Sequence, residues 1–245
     1  MNASVEMWRD IHSEASVSGE EVPELSSAVP AMNVASSSQG WNASTFADNQ
    51  IAGLVRRVFL SGWSSPARQV AFTAVDADHD ISSICFRVAS QLAAQVSGKV
   101  CLVDADMHSG WLQARMRELL EAARGSLNCE LVREQVVAGR HNLRFMPASD
   151  LGPTRDASWL RHRLAELRRE YEYLILHAPA AGISSETGLI SHLMDGVVLV
   201  LHAGRTRRAV ALHAQGLLQA AQARVIGTVL DRRRFPVPAI LYRRL

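Results

Sequence analysis

Residues 99–106 read Lys-Val-Cys-Leu-Val-Asp-Ala-Asp, four apolar residues in a row followed by an Asp-x-Asp pair. A second run of the same kind, residues 171–179, reads Tyr-Glu-Tyr-Leu-Ile-Leu-His-Ala-Pro. Uninterrupted apolar strands are typical of parallel sheets that are covered on both faces. The two runs therefore predict buried strands, each with a polar side chain at its carboxyl end.

Strand-like and helix-like runs alternate on both sides of this stretch. The predicted strands are 69–73, 100–104, 142–146, 173–177, 196–202 and 225–230, and the predicted helices are 81–96, 111–123, 157–170 and about 206–222. This alternation predicts an α/β fold with a mostly parallel sheet and helices on both faces. Because ligands of such folds bind beyond the carboxyl ends of the strands, we expect the loop after Thr73 to meet Asp104, Asp106 and His177 there.

The first 49 residues differ in composition from the rest of the chain. They carry seven acidic residues against Arg9 alone, and they are rich in serine without any sustained periodicity. Such a segment cannot bury enough apolar surface to offset the entropy of ordering. We predict a disordered, acidic, Ser-rich tail over residues 1–49 and one domain over residues 50–245, which opens with an amphipathic helix over residues 51–60.

Membrane spans, secretion and disulfides are not expected. No apolar run reaches the roughly 18 residues of a membrane-spanning helix, and residues 1–10 lack the basic and then apolar order of a signal peptide. We therefore predict a cytoplasmic protein. Cys85, Cys101 and Cys129 form no CxxC pair, and we interpret them as free, buried thiols.

The motifs occur in an order that resembles the bacterial tyrosine kinases of capsule and exopolysaccharide synthesis, which are relatives of the ParA/MinD ATPases. Residues 99–106 are similar to that family's second acidic motif, and residues 171–179 to its third motif, an apolar strand followed by Asp-x-Pro. Residues 195–208 and 241–245 are similar to its C-terminal part. The resemblance runs from about Ile51 to Leu245 and implies a P-loop NTPase-like three-layer sandwich.

The segment that the resemblance places at the phosphate loop departs from the family. Residues 73–83 read Thr-Ala-Val-Asp-Ala-Asp-His-Asp-Ile-Ser-Ser, with neither lysine nor glycine. Glycines let backbone N–H groups close on an anion, and a lysine neutralises the β and γ phosphates. Relatives would have Gly-Lys-Ser/Thr where this chain has Asp80, Ile81 and Ser82, and the carboxylates of Asp76, Asp78 and Asp80 would repel ATP.

Three further positions indicate the same loss. His177 stands where relatives carry Asp, and a neutral imidazole cannot take over a carboxylate's part around Mg²⁺. The lone lysine, Lys99, opens its strand and so lies at the edge opposite the strand's carboxyl end. Tyr242 is the only tyrosine in the last 70 residues, whereas the resemblance implies a tyrosine-rich tail for autophosphorylation.

We interpret this edge as a degenerate nucleotide site without catalytic residues, metal or cofactor, although the resemblance implies ATP and Mg²⁺ for active relatives. Ser82, which matches the family's metal-binding hydroxyl, and Ser83 are expected to satisfy N–H groups at the start of a helix, and Asp104 is expected to cap a helix or bind loop amides. The positions of the degenerate site are Thr73, Asp76, Asp78, Asp80, Ile81, Ser82, Ser83, Asp104, Asp106 and His177.

A metal site is an alternative at the same edge. Carboxylate and imidazole groups from Asp76, Asp78, His79, Asp80, Asp104, Asp106 and His177 could converge there on a divalent cation. No spacing of the HExxH kind fixes such a site in the sequence.

Arginines form the other group of candidate functional residues. Of the 26 Lys+Arg residues, 25 are arginine. Arginine favours bidentate contacts with carboxylates and phosphates. The partner-binding candidates are Arg205, Arg207, Arg208, Arg232, Arg233 and Arg234. The resemblance implies a membrane-bound polysaccharide chain-length regulator or export component as partner, and it is compatible with a homo-oligomer. A solvated face, the acidic tail in cis and anionic lipid are alternatives, and a nucleic acid is not the partner we expect.

The sequence thus predicts a catalytically degenerate, tyrosine-kinase-like domain that acts as a regulatory or binding component of exopolysaccharide or capsule synthesis and export. It would lie in the cytoplasm, or at the inner face of the membrane through its partner. One alternative is a ParA/MinD-like partitioning or positioning protein on DNA or membrane. Another is an atypical but active tyrosine kinase that binds ATP without the loop lysine.

Overall fold

The computed structural model describes residues 4–6, 43–60, 66–124, 141–152 and 156–233. The strands are β1 (Ser4–Glu6), β2 (Gln69–Ala74), β3 (Val100–Asp104), β4 (Leu143–Met146), β5 (Tyr173–Ala178), β6 (Gly196–His202) and β7 (Val225–Asp231). The α-helices are α1 (Ala43–Val55), α2 (Ser82–Gln95), α3 (Trp111–Arg124), α4 (Ala148–Leu151), α5 (Ala157–Glu170), α6 (Ser185–His192) and α7 (Arg208–Ala220). A π-helical segment, Arg56–Leu60, continues α1.

The strands form one sheet in the order β1-β7-β6-β2-β5-β3-β4. All neighbours from β7 to β4 are parallel, and β1 pairs antiparallel with the outer side of β7. The central strand, β2, lies between β5 and β6, so the carboxyl ends of these three strands open onto one edge. The predicted mostly parallel sheet is confirmed.

Two apolar layers cover the faces of the sheet. On one face, Val70 and Phe72 of β2 pack with residues of α1, α2 and α3, and on the other face Ala71 packs in a cluster that contains residues of α5, α6 and α7. The alternation follows from the strand period of two, which sends successive side chains to opposite faces. The result is the predicted three-layer α/β sandwich.

Two predicted boundaries at the start of the domain differ from the structure. The helix expected over residues 51–60 begins at Ala43, so the boundary predicted at residue 50 falls inside α1. Strand β1 lies within the segment that we expected to be a tail. The remainder of that segment, residues 1–3 and 7–42, is outside the described residues. Helices α4 and α6 were not predicted.

The amino edge of the sheet holds Lys99, directly before β3. The Lys99 carbonyl accepts hydrogen bonds from the backbone N–H groups of Glu172 and Tyr173, just before and at the start of β5. Its side chain is exposed. The only lysine therefore lies at the edge opposite the carboxyl ends of the strands, as its position in the sequence predicted.

Cys85 and Cys101 are free and buried, as predicted, and Cys129 lies outside the described residues. Burial raises the pKa of the Cys101 thiol to about 12 and that of Cys85 well above its usual range.

Among the helices of the described residues, none combines the length and the apolar composition needed to cross a membrane.

Candidate functional site

A cavity of about 620 Å³ lies at the carboxyl edge of the sheet. Its walls come from the loops after β2, β3 and β5 and from the start of α6, with Asp76, Asp106 and His177 among the lining residues. The structure thus brings together the loop after Thr73, Asp106 and His177, as the topology predicted. Asp104 lies directly behind His177.

Asp104 and His177 form a buried pair at the ends of two neighbouring strands. They are register partners in the parallel pairing of β3 with β5. His177 Nδ1 lies 3.1 Å from Asp104 Oδ1, and both side chains are 2% exposed. The same carboxylate oxygen accepts the backbone N–H of Asp106 at 3.2 Å. Asp104 therefore binds a loop amide, one of the two roles expected for it, and it also orients the imidazole that faces the cavity.

Asp106 organises the loop that leads into α3. Its Oδ1 accepts the backbone N–H groups of His108 (3.0 Å) and Ser109 (3.2 Å). The side chain is largely buried and lines the cavity. Its carboxylate therefore accepts the N–H groups of the turn that precedes α3.

The three carboxylates of the loop after β2 have separate partners. Asp76 Oδ2 accepts a hydrogen bond from Thr206 Oγ1 at 2.8 Å, and Asp78 forms an exposed ion pair with Arg205. Asp80 Oδ1 accepts the backbone N–H of Ser82 at 2.8 Å. Of the three, only Asp76 lines the cavity.

The start of α2 differs from the serine capping that the sequence suggested. Ile81 occupies the N-cap position and makes no side-chain capping bond. Asp80, one residue earlier, supplies the acceptor for the Ser82 N–H. Ile81 is 1% exposed and packs in the core cluster that also contains residues of α2 and α3. Ser82 is buried and Ser83 is half-buried, both inside the first turn.

Thr73 joins β2 to the loop after β5. Its Oγ1 donates to the Pro179 carbonyl at 2.6 Å, and Thr187 Oγ1 of α6 donates to the same oxygen at 2.8 Å. Gly182 lies so close that a Cβ would sit 2.7 Å from the Val75 carbonyl oxygen. These contacts fix the loop after β5 against the end of β2 and shape that side of the cavity.

A second buried histidine pair was not foreseen. His79 Nε2 lies 3.0 Å from Asp231 Oδ2, with side chains 1% and 3% exposed, and the His79 ring stacks on His202 with centroids 5.1 Å apart. Desolvation and the neighbouring His79 lower the pKa of His202. Asp231 ends β7 as Asp104 ends β3, and this terminal position is the one sequence signal that could have singled it out.

The acidic and imidazole side chains of the predicted metal site form separate pairs and do not converge on one point. His177 pairs with Asp104 and His79 with Asp231. Within the described ranges, no group of three or more His, Cys, Asp or Glu side chains is arranged to hold a metal ion.

The arginine candidates lie at one end of this edge. Arg205, Arg207 and Arg208 follow β6, and Arg232 and Arg233 follow β7. The two strand ends are neighbours, since the Ala203 N–H donates to the Asp231 carbonyl at 2.8 Å. We call these five residues the arginine rim. Arg234 lies outside the described residues.

Three solved structures illustrate what the chain is similar to. The chimerical protein CapA2B2 superposes with a TM-score of 0.62 at 16% identity, over 77% of this chain and 86% of that one. The kinase domain of the Escherichia coli tyrosine kinase ETK gives 0.57 at 18% identity, over 78% and 79%. The cell division protein MinD of Aquifex aeolicus gives 0.50 at 18%, over 73% of each chain.

No family model matches the sequence, and the comparison with curated proteins gives no match. The structural likeness spans most of each neighbour's length and includes both kinds of protein that the sequence motifs suggested. The chain therefore has the P-loop NTPase-like α/β fold of the ETK tyrosine kinase domain and of MinD.

Proposed function

We propose that this chain is a catalytically degenerate, tyrosine-kinase-like domain that regulates or binds a component of exopolysaccharide or capsule synthesis and export. One observation carries the proposal. The Asp80 carboxylate accepts the Ser82 N–H at the start of α2, at 2.8 Å. In a phosphate loop the corresponding N–H groups hold the nucleotide's phosphates.

Charge and burial at the neighbouring positions support the same conclusion. Ile81, which stands where relatives carry the lysine, is 1% exposed in an apolar cluster and offers no cation. Asp104 is buried behind His177, to which it is hydrogen bonded. A triphosphate with Mg²⁺ would meet the chain's own carboxylates where a cation is required, so electrostatic repulsion opposes its binding.

Isothermal titration with ATP and Mg²⁺ tests the proposal. We expect no saturable heat, because the loop supplies a carboxylate where the phosphates need N–H groups and a lysine. The ETK kinase domain, titrated under the same conditions, is the positive control. A dissociation constant in the low micromolar range would favour the atypical active kinase instead.

The arginine rim is the surface we propose for the partner, a membrane-bound chain-length regulator or export component. Arg207 and Arg208 are exposed at the N-terminus of α7, and the rim gathers arginines from two neighbouring strand ends. Such a cluster attracts an acidic segment through bidentate contacts. Arg205 is already paired with Asp78, so Arg207 and Arg208 are the better test positions.

The double variant Arg207→Glu/Arg208→Glu is expected to weaken binding of the regulator's cytoplasmic segment by about tenfold or more. Acidic residues at a helix N-terminus are favourable, so the variant should not unfold α7. Fluorescence anisotropy with the labelled segment from the same organism gives the affinity. The matched control, Arg117→Glu/Arg161→Glu, makes the same charge change at exposed positions of α3 and α5.

An equal loss of affinity in the control variant would show that the effect comes from overall charge and not from the arginine rim. Tight binding of duplex DNA that falls steeply with salt would instead support the partitioning alternative, because release of counterions makes that affinity strongly salt-dependent.

A further inference from the structure

The cavity at the carboxyl edge has an unusual set of polar groups. Three carboxylates line it, from Asp76, Asp106 and Glu186, and none of the described residues that line it is lysine or arginine. Asp106 and Glu186 are largely buried, at 8% and 7% exposure. A cavity of this charge favours a cationic occupant.

Two lining histidines add hydrogen-bond acceptors. A carboxylate only accepts, so a neutral imidazole beside it carries its proton on the facing nitrogen and keeps a lone pair on the other. His79 binds Asp231 through Nε2, and its buried Nδ1 has no hydrogen-bond partner. The His79 side chain is more than nine-tenths buried and lines the cavity. His177 contacts Asp104 through Nδ1, so in the same neutral form its Nε2 is an acceptor.

Four backbone donors at this edge are already used within the chain. The N–H of Ser82 donates to Asp80, those of His108 and Ser109 donate to Asp106, and that of Glu186 donates to Ser184 Oγ. These N–H groups, which lie at or just before the starts of α2, α3 and α6, are therefore not available to an anion. The charged side chains that line the cavity include carboxylates, which only accept hydrogen bonds.

We infer that this cavity binds a guanidinium group on a short apolar stem. A guanidinium has five N–H donors and no acceptor, which complements carboxylates and imidazole lone pairs. The indole of Trp111 and the side chain of Ile183 also line the cavity and can pack against the planar cation and its stem. The volume of about 620 Å³ is in the range of small-ligand sites. The inference rests on the proposed function in one respect, that nucleotide does not occupy the site.

The probe is butylguanidinium, with its neutral isostere butylurea as the matched control. We expect saturable binding of butylguanidinium at millimolar concentrations, followed by NMR chemical-shift titration of the full chain, and binding of butylurea at least about tenfold weaker. Absence of saturable binding, or equal binding of the two compounds, would overturn the inference.

Variants locate the site. Asp106→Asn/Glu186→Gln keeps the shape of both side chains and removes two negative charges, and it should weaken butylguanidinium binding about tenfold or more. Glu172→Gln, an exposed change near the amino edge, is the control and should leave binding unchanged. Thermal unfolding checks that the variants are folded. If the double variant does not fold, Asp76→Asn at its half-buried position replaces it, and unchanged binding in that variant contradicts the inference.

Two sources could supply the guanidinium, a free small molecule or an arginine side chain of a protein. A Gly-Arg-Gly peptide and its citrulline counterpart separate the two sources. Tighter binding of the arginine peptide than of butylguanidinium indicates an arginine side chain of a protein. Tighter binding of butylguanidinium indicates a free small molecule. Failure of the guanidinium site is distinct from failure of the proposed function, because ATP is titrated separately. If the chain binds neither ATP nor butylguanidinium, only the guanidinium site is refuted.

Discussion

Replacing His177 with alanine is expected to lower the free energy of unfolding by about 2–4 kcal/mol. The imidazole is the buried side-chain partner of the Asp104 carboxylate, at 3.1 Å, and both groups are 2% exposed. Removing one member of such a pair leaves a desolvated carboxylate whose remaining hydrogen-bond donor, among the described residues, is the Asp106 amide. Urea unfolding followed by circular dichroism measures the loss.

A double-mutant cycle with Asp104→Ala separates this pair from the rest of the site. The double variant should lose less stability than the sum of the single variants, with a coupling energy of about 1–3 kcal/mol. His213→Ala, an exposed change on α7, should stay within about 0.5 kcal/mol of the parent. Simple additivity of Asp104→Ala and His177→Ala would show that the hydrogen bond contributes nothing.

Phe59→Ala should cost about 3–5 kcal/mol of unfolding free energy, the largest loss we predict for an apolar position. Phe59 is 1% exposed in the π-helical segment after α1, and its ring meets Tyr173 of β5 edge to face with centroids 6.2 Å apart. Truncation leaves a cavity between this segment and the sheet. Thermal or urea unfolding of the two proteins gives the difference.

The neighbouring residue is the matched control. Leu60 is 38% exposed in the same segment, so Leu60→Ala should change stability by no more than about 0.5 kcal/mol. Equal losses at the two positions would mean that Phe59 does not pack against the sheet as described, and that the segment contributes mainly through helix propensity.

Strands β3 and β5 were among the most predictable parts of the fold because they are buried on both faces. Every residue of β3 and of β5 is buried, so apart from Asp104 and His177 near their carboxyl ends the two strands are apolar, and their observed bounds differ from the predicted ones by a single residue at most. Helix α6 was missed for the opposite reason. Its sequence, Ser-Glu-Thr-Gly-Leu-Ile-Ser-His, has little apolar periodicity, and a glycine lies in its interior.

The candidate site was predictable where a motif places side chains at a strand end, as for Asp104 and His177. The register of β3 and β5 then brings them together. The pairing of His79 with Asp231 was not predictable, because it joins residues 152 positions apart and depends on where β7 ends beside β6. The partners of Asp76 and Asp78, Thr206 and Arg205, likewise come from a loop that only the finished sheet places nearby.

The central position of β2 has a consequence for how the chain folds during synthesis. Gln69 pairs with Leu174 and Val70 with Gly196, partners more than 100 residues further along. While a ribosome is still adding those residues, β2 is an apolar strand with neither neighbour in place. Closing such long loops is slow and leaves unpaired strands open to association with other chains. The nascent chain is therefore most exposed to association with other chains until β6 has emerged.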